Sequence, residues 1–342
     1  MRRLASFAGI VGVVLAIASP FLLSGGDVLA TLHDVSLRTI LVLTTVAVVS
    51  ALAKAVKLQL LLRHLGQQIG FLHTLQISLA TDFAFLASPA GAAGYAVNIA
   101  LLRRAGAPWS LSTTIVGADQ ALDLLFFSVA VPVAVSLSLG PLASVLPALS
   151  LRGYVTMLIA FVALLIALWL ARRRVLSTSR AMLAGMPWLR SRQEHLHRFL
   201  DEMRVHMVSL LRGDRKRSGA ILLFTATQWL LRYGALWFVL AEVGHHLPFG
   251  FVLVLQAVVL HVAQWTGIPA GGGGADLGLA AALAPWVSNT TMAMVLLLWR
   301  YATLYLPLLI GLLSLVALFG SWRVASDLGH LPDEQDVEAG KS

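Results

Sequence analysis

Two long hydrophobic stretches of this chain are each interrupted by a Pro- and Gly-rich run: Ala87-Ser88-Pro89-Ala90-Gly91-Ala92-Ala93-Gly94 in the first half and Ile268-Pro269-Ala270-Gly271-Gly272-Gly273-Gly274-Ala275 in the second. Proline lacks the backbone donor and clashes with the preceding helical turn, so no regular helix passes through either run undisturbed. Inside a bilayer that is a severe constraint, because backbone leaves the helix at membrane depth only where protein or a wet cavity satisfies its N–H and C=O groups. Each break therefore predicts one wall of a polar space within an apolar shell.

That the surroundings are a bilayer follows from composition. Hydrophobic residues make up 58% of the chain and charged residues 12%, against a charged share of roughly 25% in soluble domains. The mean hydropathy of +0.83 points the same way, to an integral membrane protein. A formal charge of +9 would suggest a nucleic-acid partner in a soluble chain, but here Lys and Arg cluster in a few loops between apolar runs, which is the pattern of membrane orientation. No nucleic-acid partner is expected. With no cysteine there is neither a disulfide framework nor a thiolate metal site.

Six uninterrupted apolar runs are long enough, at about 20 residues, to cross the hydrocarbon core: 4–23, 37–53, 111–139, 153–171, 219–242 and 290–319. The first follows Met1-Arg2-Arg3 and contains Ala16-Ile17-Ala18, features shared with cleavable signal peptides. Its near-spanning length favours a retained helix. Starting inside, the orientation that places most cations in cytoplasmic loops assigns Lys54, Lys57, Arg63, Arg103, Arg104, the segment 172–217 and Arg323 to the cytoplasm. Both termini are then cytoplasmic, and the acidic 332–338 tail reads as disordered.

The two broken segments pair 71–87 with 91–104, and 249–267 with 275–287. At 1.5 Å per residue the arms are about 20–28 Å long, so deep re-entrant hairpins and short crossing pairs both fit. The expected fold is an all-α polytopic membrane protein with six full spans and two broken-helix hairpins, built as an inverted repeat. Its parts are a first helix and external loop (1–36), a first half (37–171), a cytoplasmic basic linker (172–218), a second half (219–320) and a cytoplasmic tail (321–342). Broken segments at corresponding places in two halves are the layout of many secondary transporters and point to their binding sites.

The linker carries Leu183, Met186, Trp188, Leu189, Phe199 and Leu200 among its arginines. A basic amphipathic helix of this kind lies on anionic lipid head groups, although a plain connector obeying the positive-inside rule fits equally well. His195 and His197 are two apart and would point in different directions on a helix; no metal site and no cofactor are expected.

Ionisable residues within apolar segments cost at least a few kcal/mol unless paired or wet. Asp119 and Asp123 stand at i, i+4 and share a helix face. Arg232 and Arg300 lie inside apolar runs of the second half. The two acids and two cations are expected to pair across the interface between halves, either to fix packing or to take part in transport. Asp82 and Asp276 flank the breaks and read as site residues, together with Pro89, Gly91 and Gly94 of the first break and Pro269, Gly271, Gly272, Gly273 and Gly274 of the second. His261 reads as a proton relay or as an interhelical hydrogen-bonding residue.

The stretch Lys57-Leu-Gln-Leu-Leu-Leu-Arg63, the Ser88-Pro89 to Gly94 break leading to Leu101-Leu102-Arg103-Arg104, the Asp119 to Asp123-Leu-Leu segment, the Pro269/Gly-rich break and Trp299-Arg300-Tyr301 to Tyr305-Leu-Pro307 together resemble the lysylphosphatidylglycerol synthase transmembrane region, or flippase-like, family over about 37–320. The resemblance implies translocation of a lipid between leaflets of a bacterial inner membrane, with a membrane lipid as substrate and no enzymatic activity of the membrane part. Aminoacyl, glycosyl and hopanoid lipids are all candidates. In the family pattern an arginine follows the first break where this chain has Asn98 or a neighbour, an acidic-Arg pair stands where this chain has Asp119-Gln120, and a glutamate stands near Asp276. The site implied is thus less charged than usual, which weakens the case for a cationic aminoacyl lipid and makes a weakly polar lipid, such as a hopanoid, a serious contender. A non-transporting scaffold partnering a lipid-synthesis enzyme through 172–217 is the alternative, and homo-oligomerisation stays open.

Overall fold

The computed structural model describes residues 35–140, 142, parts of 152–170 and 198–209, 214–265, 268–271 and 273–328. The expected 4–23 span, the amphipathic linker's core and the acidic tail lie outside the described residues, and the expected 153–171 span lies partly outside them. Among the described residues the regular structure is entirely helical.

Helix α1 (Leu37–His64) opens at Ser36, whose hydroxyl accepts from the Thr39 N–H at 3.1 Å. It closes where Gly66 turns left-handed at φ 79°, the conformation glycine adopts without a Cβ penalty. At 28 residues α1 is about 42 Å long. It therefore runs on through Lys54 and Lys57, past the expected end of the apolar run at Ala53. Helix α2 (Phe71–Leu86) leads to a 3₁₀ turn, Pro89–Gly91, and to α3 (Ala92–Arg104) and α4 (Trp109–Leu137). The order then recurs: α5 (Arg215–Glu242), α6 (Phe249–Trp265), a 3₁₀ turn at Pro269–Gly271, α7 (Gly274–Leu283), and a long final helix made of α8 (Asn289–Arg300), a π-helical turn Tyr301–Tyr305, and α9 (Leu306–Leu328). Both breaks carry the same tripeptide, Pro-Ala-Gly.

Three of the described helical stretches are long and apolar enough to cross a membrane: Leu37–His64, Trp109–Leu137 and Asn289–Gly320. Helix α5 has comparable length but carries Thr225, Gln228 and Arg232. Lipid-facing stripes are visible as exposed apolar residues at helical spacing: Leu125, Val129, Val133 and Leu137 on α4, Val258 and Val262 on α6, and Leu309, Leu313 and Val316 on α9. In water such stripes would be costly, whereas in hydrocarbon they are matched.

The packing is reciprocal. α1 lies along α5; α2 of the first half packs on α9 of the second, while α6 of the second packs on α4 of the first. Both cross-half contacts use a glycine. A Cβ on Gly311 would lie 2.5 Å from the Leu79 carbonyl, and one on Gly250 would lie 2.9 Å from the Ala134 carbonyl. Close backbone approach at small residues is how membrane helices associate, since apolar burial gives them no advantage over lipid. The arms α2 and α3 pack together, as do α6 and α7, and the two Pro-Ala-Gly turns meet.

Candidate functional site

The first turn holds Ala90 at φ 50° and Gly91 at φ 72°, two successive left-handed residues that end α2 and restart the chain as α3. The Ser88 hydroxyl accepts from the Ala93 N–H at 3.1 Å and so caps α3. The second turn has Gly271 at φ 63°, and its following helix is capped differently, with a carboxylate oxygen of Asp276 accepting from the Gly273 N–H at 3.2 Å. Ala90 and Gly91 from one turn, and Ile268 and Gly271 from the other, line a single cavity of about 390 Å³.

Charges converge on it in pairs. The Lys57 ammonium, wholly buried, lies 2.6 Å from Asp119 and 3.0 Å from Asp123, and the Trp229 indole N–H donates to the same Asp123 oxygen at 2.8 Å. Lys54 pairs with Asp82. Arg300 sets its planar fork on Asp276, Nε to one oxygen at 2.7 Å and Nη2 to the other at 3.0 Å, the bidentate geometry that makes Arg–carboxylate pairs strong. Asp276 is fully buried and Arg300 nearly so. Arg232 donates to the Thr303 carbonyl at 3.3 Å. That carbonyl is available because the residue four positions on is Pro307, which has no N–H to give it. The π-helical turn over Tyr301–Tyr305 absorbs the disruption, and such turns often sit at functional places in helices.

Aromatic rings form the opposite wall. Phe127 contacts Trp229, Tyr233 and His261 at centroid separations of 4.8, 5.5 and 5.7 Å. Gln256 is held rigidly, accepting from the Trp299 indole at 2.7 Å and donating to the Tyr233 carbonyl at 3.1 Å. Tyr95 donates to Gln120 at 3.1 Å. Among the described residues no group of three or more His, Cys, Asp or Glu side chains is placed to hold a metal ion. The cavity can bind a polar group through hydrogen bonds, rings and fixed charges.

Of the residues singled out from sequence, Asp82, Gly91, Asp119, Asp123, Arg232, His261, Gly271 and Arg300 line the cavity. Asp276 stands behind Arg300. Gly94 lies outside the lining and makes room for it: a Cβ there would fall 2.2 Å from the Phe85 ring, and Phe85 lines the cavity. Pro89 and Pro269 set the turns without lining it, Gly273 and Gly274 begin α7, and Gly272 lies outside the described residues. Asn98 is buried in α3 with its carboxamide oxygen unpartnered and does not line the cavity.

Two expectations are corrected. The acids of the first half do not pair with the cations of the second: Asp119 and Asp123 take Lys57, and Arg300 takes Asp276, each within its own half. The physical reason is reach, since α1 and α4 present lysine and carboxylates directly to each other. The hydrogen bond described for His261 is not interhelical: its Nδ1 bonds the Ala257 carbonyl of its own helix at 2.7 Å, and it meets the neighbouring helix through its ring contact with Phe127. Sequence reasoning missed Lys54, Lys57, Phe127, Trp229 and the glutamines. A signal existed in the first half, where three membrane-embedded acids had no cation of their own half assigned to them while two lysines stood three residues apart on one helix face.

Comparison with known proteins agrees with this architecture. The chain is similar to a UPF0104 membrane protein of Archaeoglobus fulgidus, 22% identical over 270 residues that cover 76% of this chain and 80% of that protein. The family model described as Lysylphosphatidylglycerol synthase TM region matches residues 9–311, most of the chain. This multi-pass membrane protein thus belongs to the lysylphosphatidylglycerol synthase TM region family.

Proposed function

We propose that the chain carries a lipid with a polar head group between the leaflets of a bacterial inner membrane, with both termini cytoplasmic and with no enzymatic step of its own. The observation that carries this reading is that both Pro-Ala-Gly turns meet on one polar cavity while the outer helix faces are apolar. A polar cavity inside an oily shell is what a lipid head group needs to cross hydrocarbon without losing all its hydrogen bonds.

The recurring order of elements and the reciprocal packing of α2 on α9 and of α6 on α4 support an inverted repeat of six spans and two re-entrant hairpins. The arms agree: α2 has 16 residues and α6 has 17, about 24–26 Å at helical rise, short of the roughly 30 Å core. Because α2 and α6 are each clasped by the other half, the bodies that move past each other are mixed sets of helices rather than the two sequence halves. The basic segment 172–217 rests on anionic lipid head groups in this reading, where it could also meet a lipid-synthesis enzyme or a second copy of the chain.

Reconstitution into vesicles tests the proposal. Fluorescent lipids should exchange between leaflets faster than in protein-free vesicles, and Gly91→Val or Gly271→Val should slow the exchange. Rates equal to those of empty vesicles across aminoacyl, glycosyl, phosphate and hopanoid lipids would leave the scaffold role as the better account.

A further inference from the structure

Beside the polar cavity lies a second, apolar cleft of about 220 Å³ between α1, α2, α5 and α9, walled by Ala47, Leu52, Leu75, Leu79, Leu306 and Ile310. The two spaces share Lys54, Asp82, Gln228, Arg232 and Thr303. These five form a seam between a polar chamber and an oily one. Lys54 and Asp82 satisfy each other. Arg232 and Gln228 differ from them. They stand at i, i+4 on α5 and so share a face. Arg232 has no carboxylate partner among the described residues, and its guanidinium carries five donors, of which the Thr303 carbonyl takes one. Gln228 is 5% exposed, and its buried side-chain oxygen has no hydrogen-bond partner. A buried carboxamide left unpaired costs on the order of 1–3 kcal/mol, and Gln228 lines both spaces.

Resting on the lipid-carrier reading, we infer that Arg232 and Gln228 bind the phosphate ester of a lipid whose hydrocarbon chain lies in the apolar cleft and whose head group lies in the polar cavity. A phospholipid or polyprenyl phosphate has this order of parts: chain, anionic phosphate, polar head. The anion answers the unmatched guanidinium, in the geometry that suits arginine to phosphate. A hydroxyl or amine next to the phosphate answers the Gln228 oxygen. A phosphate-free lipid, such as a hopanoid or a diacylglycerol, would fill the cleft and leave Arg232 uncompensated. Asp82 at the seam does not oppose the anion, because Lys54 neutralises it.

The test is lipid binding by the full chain in detergent micelles, read by native mass spectrometry, with three probes: short-chain phosphatidylglycerol, a short polyprenyl monophosphate, and diacylglycerol with the same acyl chains as the first. At least one phosphate lipid should bind about tenfold or more tighter than diacylglycerol, equivalent to about 1.4 kcal/mol; which of the two binds tighter identifies the source of the phosphate. Arg232→Gln, which can still donate to the Thr303 carbonyl, should reduce that preference to within about twofold, and Arg232→Lys should retain part of it. Ala47→Trp, filling the cleft, should weaken all three lipids alike. Equal binding of diacylglycerol and both phosphate lipids by the unaltered protein overturns the inference, even if the Arg232 variants fail to fold. So does a preference that survives in Arg232→Gln. Leaflet exchange measured in parallel separates the two proposals: preference without exchange counts against the carrier reading alone, and exchange without preference counts against the phosphate site alone.

Discussion

Lys57 is the most informative residue to remove. Its side chain is fully buried, and its two partners expose only 11% and 15% of theirs, so the ammonium is what keeps two carboxylates tolerable inside the protein. Replacing it with methionine keeps the aliphatic stem and its volume but leaves Asp119 and Asp123 facing each other without a cation. Breaking a buried pair by deleting one partner costs about 3–5 kcal/mol, a large part of the 5–15 kcal/mol that typically holds a domain folded. Removing the whole set is different. In Lys57→Met/Asp119→Asn/Asp123→Asn no charge is left uncompensated, and the Trp229 indole still has an amide oxygen to bond. Replacement of complete buried ion sets by neutral groups is often neutral or stabilising, so the triple variant should lie within about 1 kcal/mol of the unaltered protein. Unfolding in mixed micelles, followed by the loss of helical circular dichroism, measures both. A single variant as stable as the parent, or a triple variant as unstable as the single one, would refute the reasoning.

Other substitutions follow from geometry. Gly311→Ala puts a methyl 2.5 Å from a carbonyl that cannot rotate away and should cost about 1–3 kcal/mol by overpacking, whereas Gly320→Ala, with nothing within 4 Å, should be near neutral; thermal unfolding in detergent compares them. Gly94→Ala should displace the Phe85 ring and lower the unfolding midpoint, and Phe85→Ala in the same chain should recover much of the loss. Pro307→Ala returns an N–H to the Thr303 carbonyl, so the π-helical turn should tighten to α-helix and free Arg232; amide hydrogen exchange over 301–307 should become slower. Arg300→Lys keeps the charge on Asp276 but loses the two-point contact, and should destabilise the start of α7 by about 1–3 kcal/mol, seen as faster exchange over 274–279.

The breaks were legible in sequence because proline and glycine announce themselves locally, and they became readable as a site because an unwound segment between apolar arms has few places to go. The packing of Pro-Ala-Gly on Pro-Ala-Gly was implied by their equivalent positions. The pairing of Lys54 and Lys57 was not legible because orientation rules count cations by their distance from apolar runs, and both lysines sit just past the end of one. Their partners lie on other helices, at Asp82, Asp119 and Asp123, and no local pattern joins them. The Thr303 carbonyl that receives Arg232 could have been found from Pro307 alone, by asking which acceptor four residues earlier had lost its donor. The aromatic wall of Phe127, Trp229 and Tyr233 had no such signal, since rings on apolar helices are ordinary core residues until a cavity appears beside them.

The convergence of the two turns is open to direct measurement, because the chain contains no cysteine. Cysteines placed at Ala90 and Ile268, which line the same cavity, should be joined in native membranes by a short bifunctional maleimide, giving a doubly modified chain resistant to separation after proteolysis between them. The account predicts efficient joining, and protection of both thiols from a bulky membrane-impermeant reagent. Two thiols that never join, each freely labelled by that reagent, would contradict it.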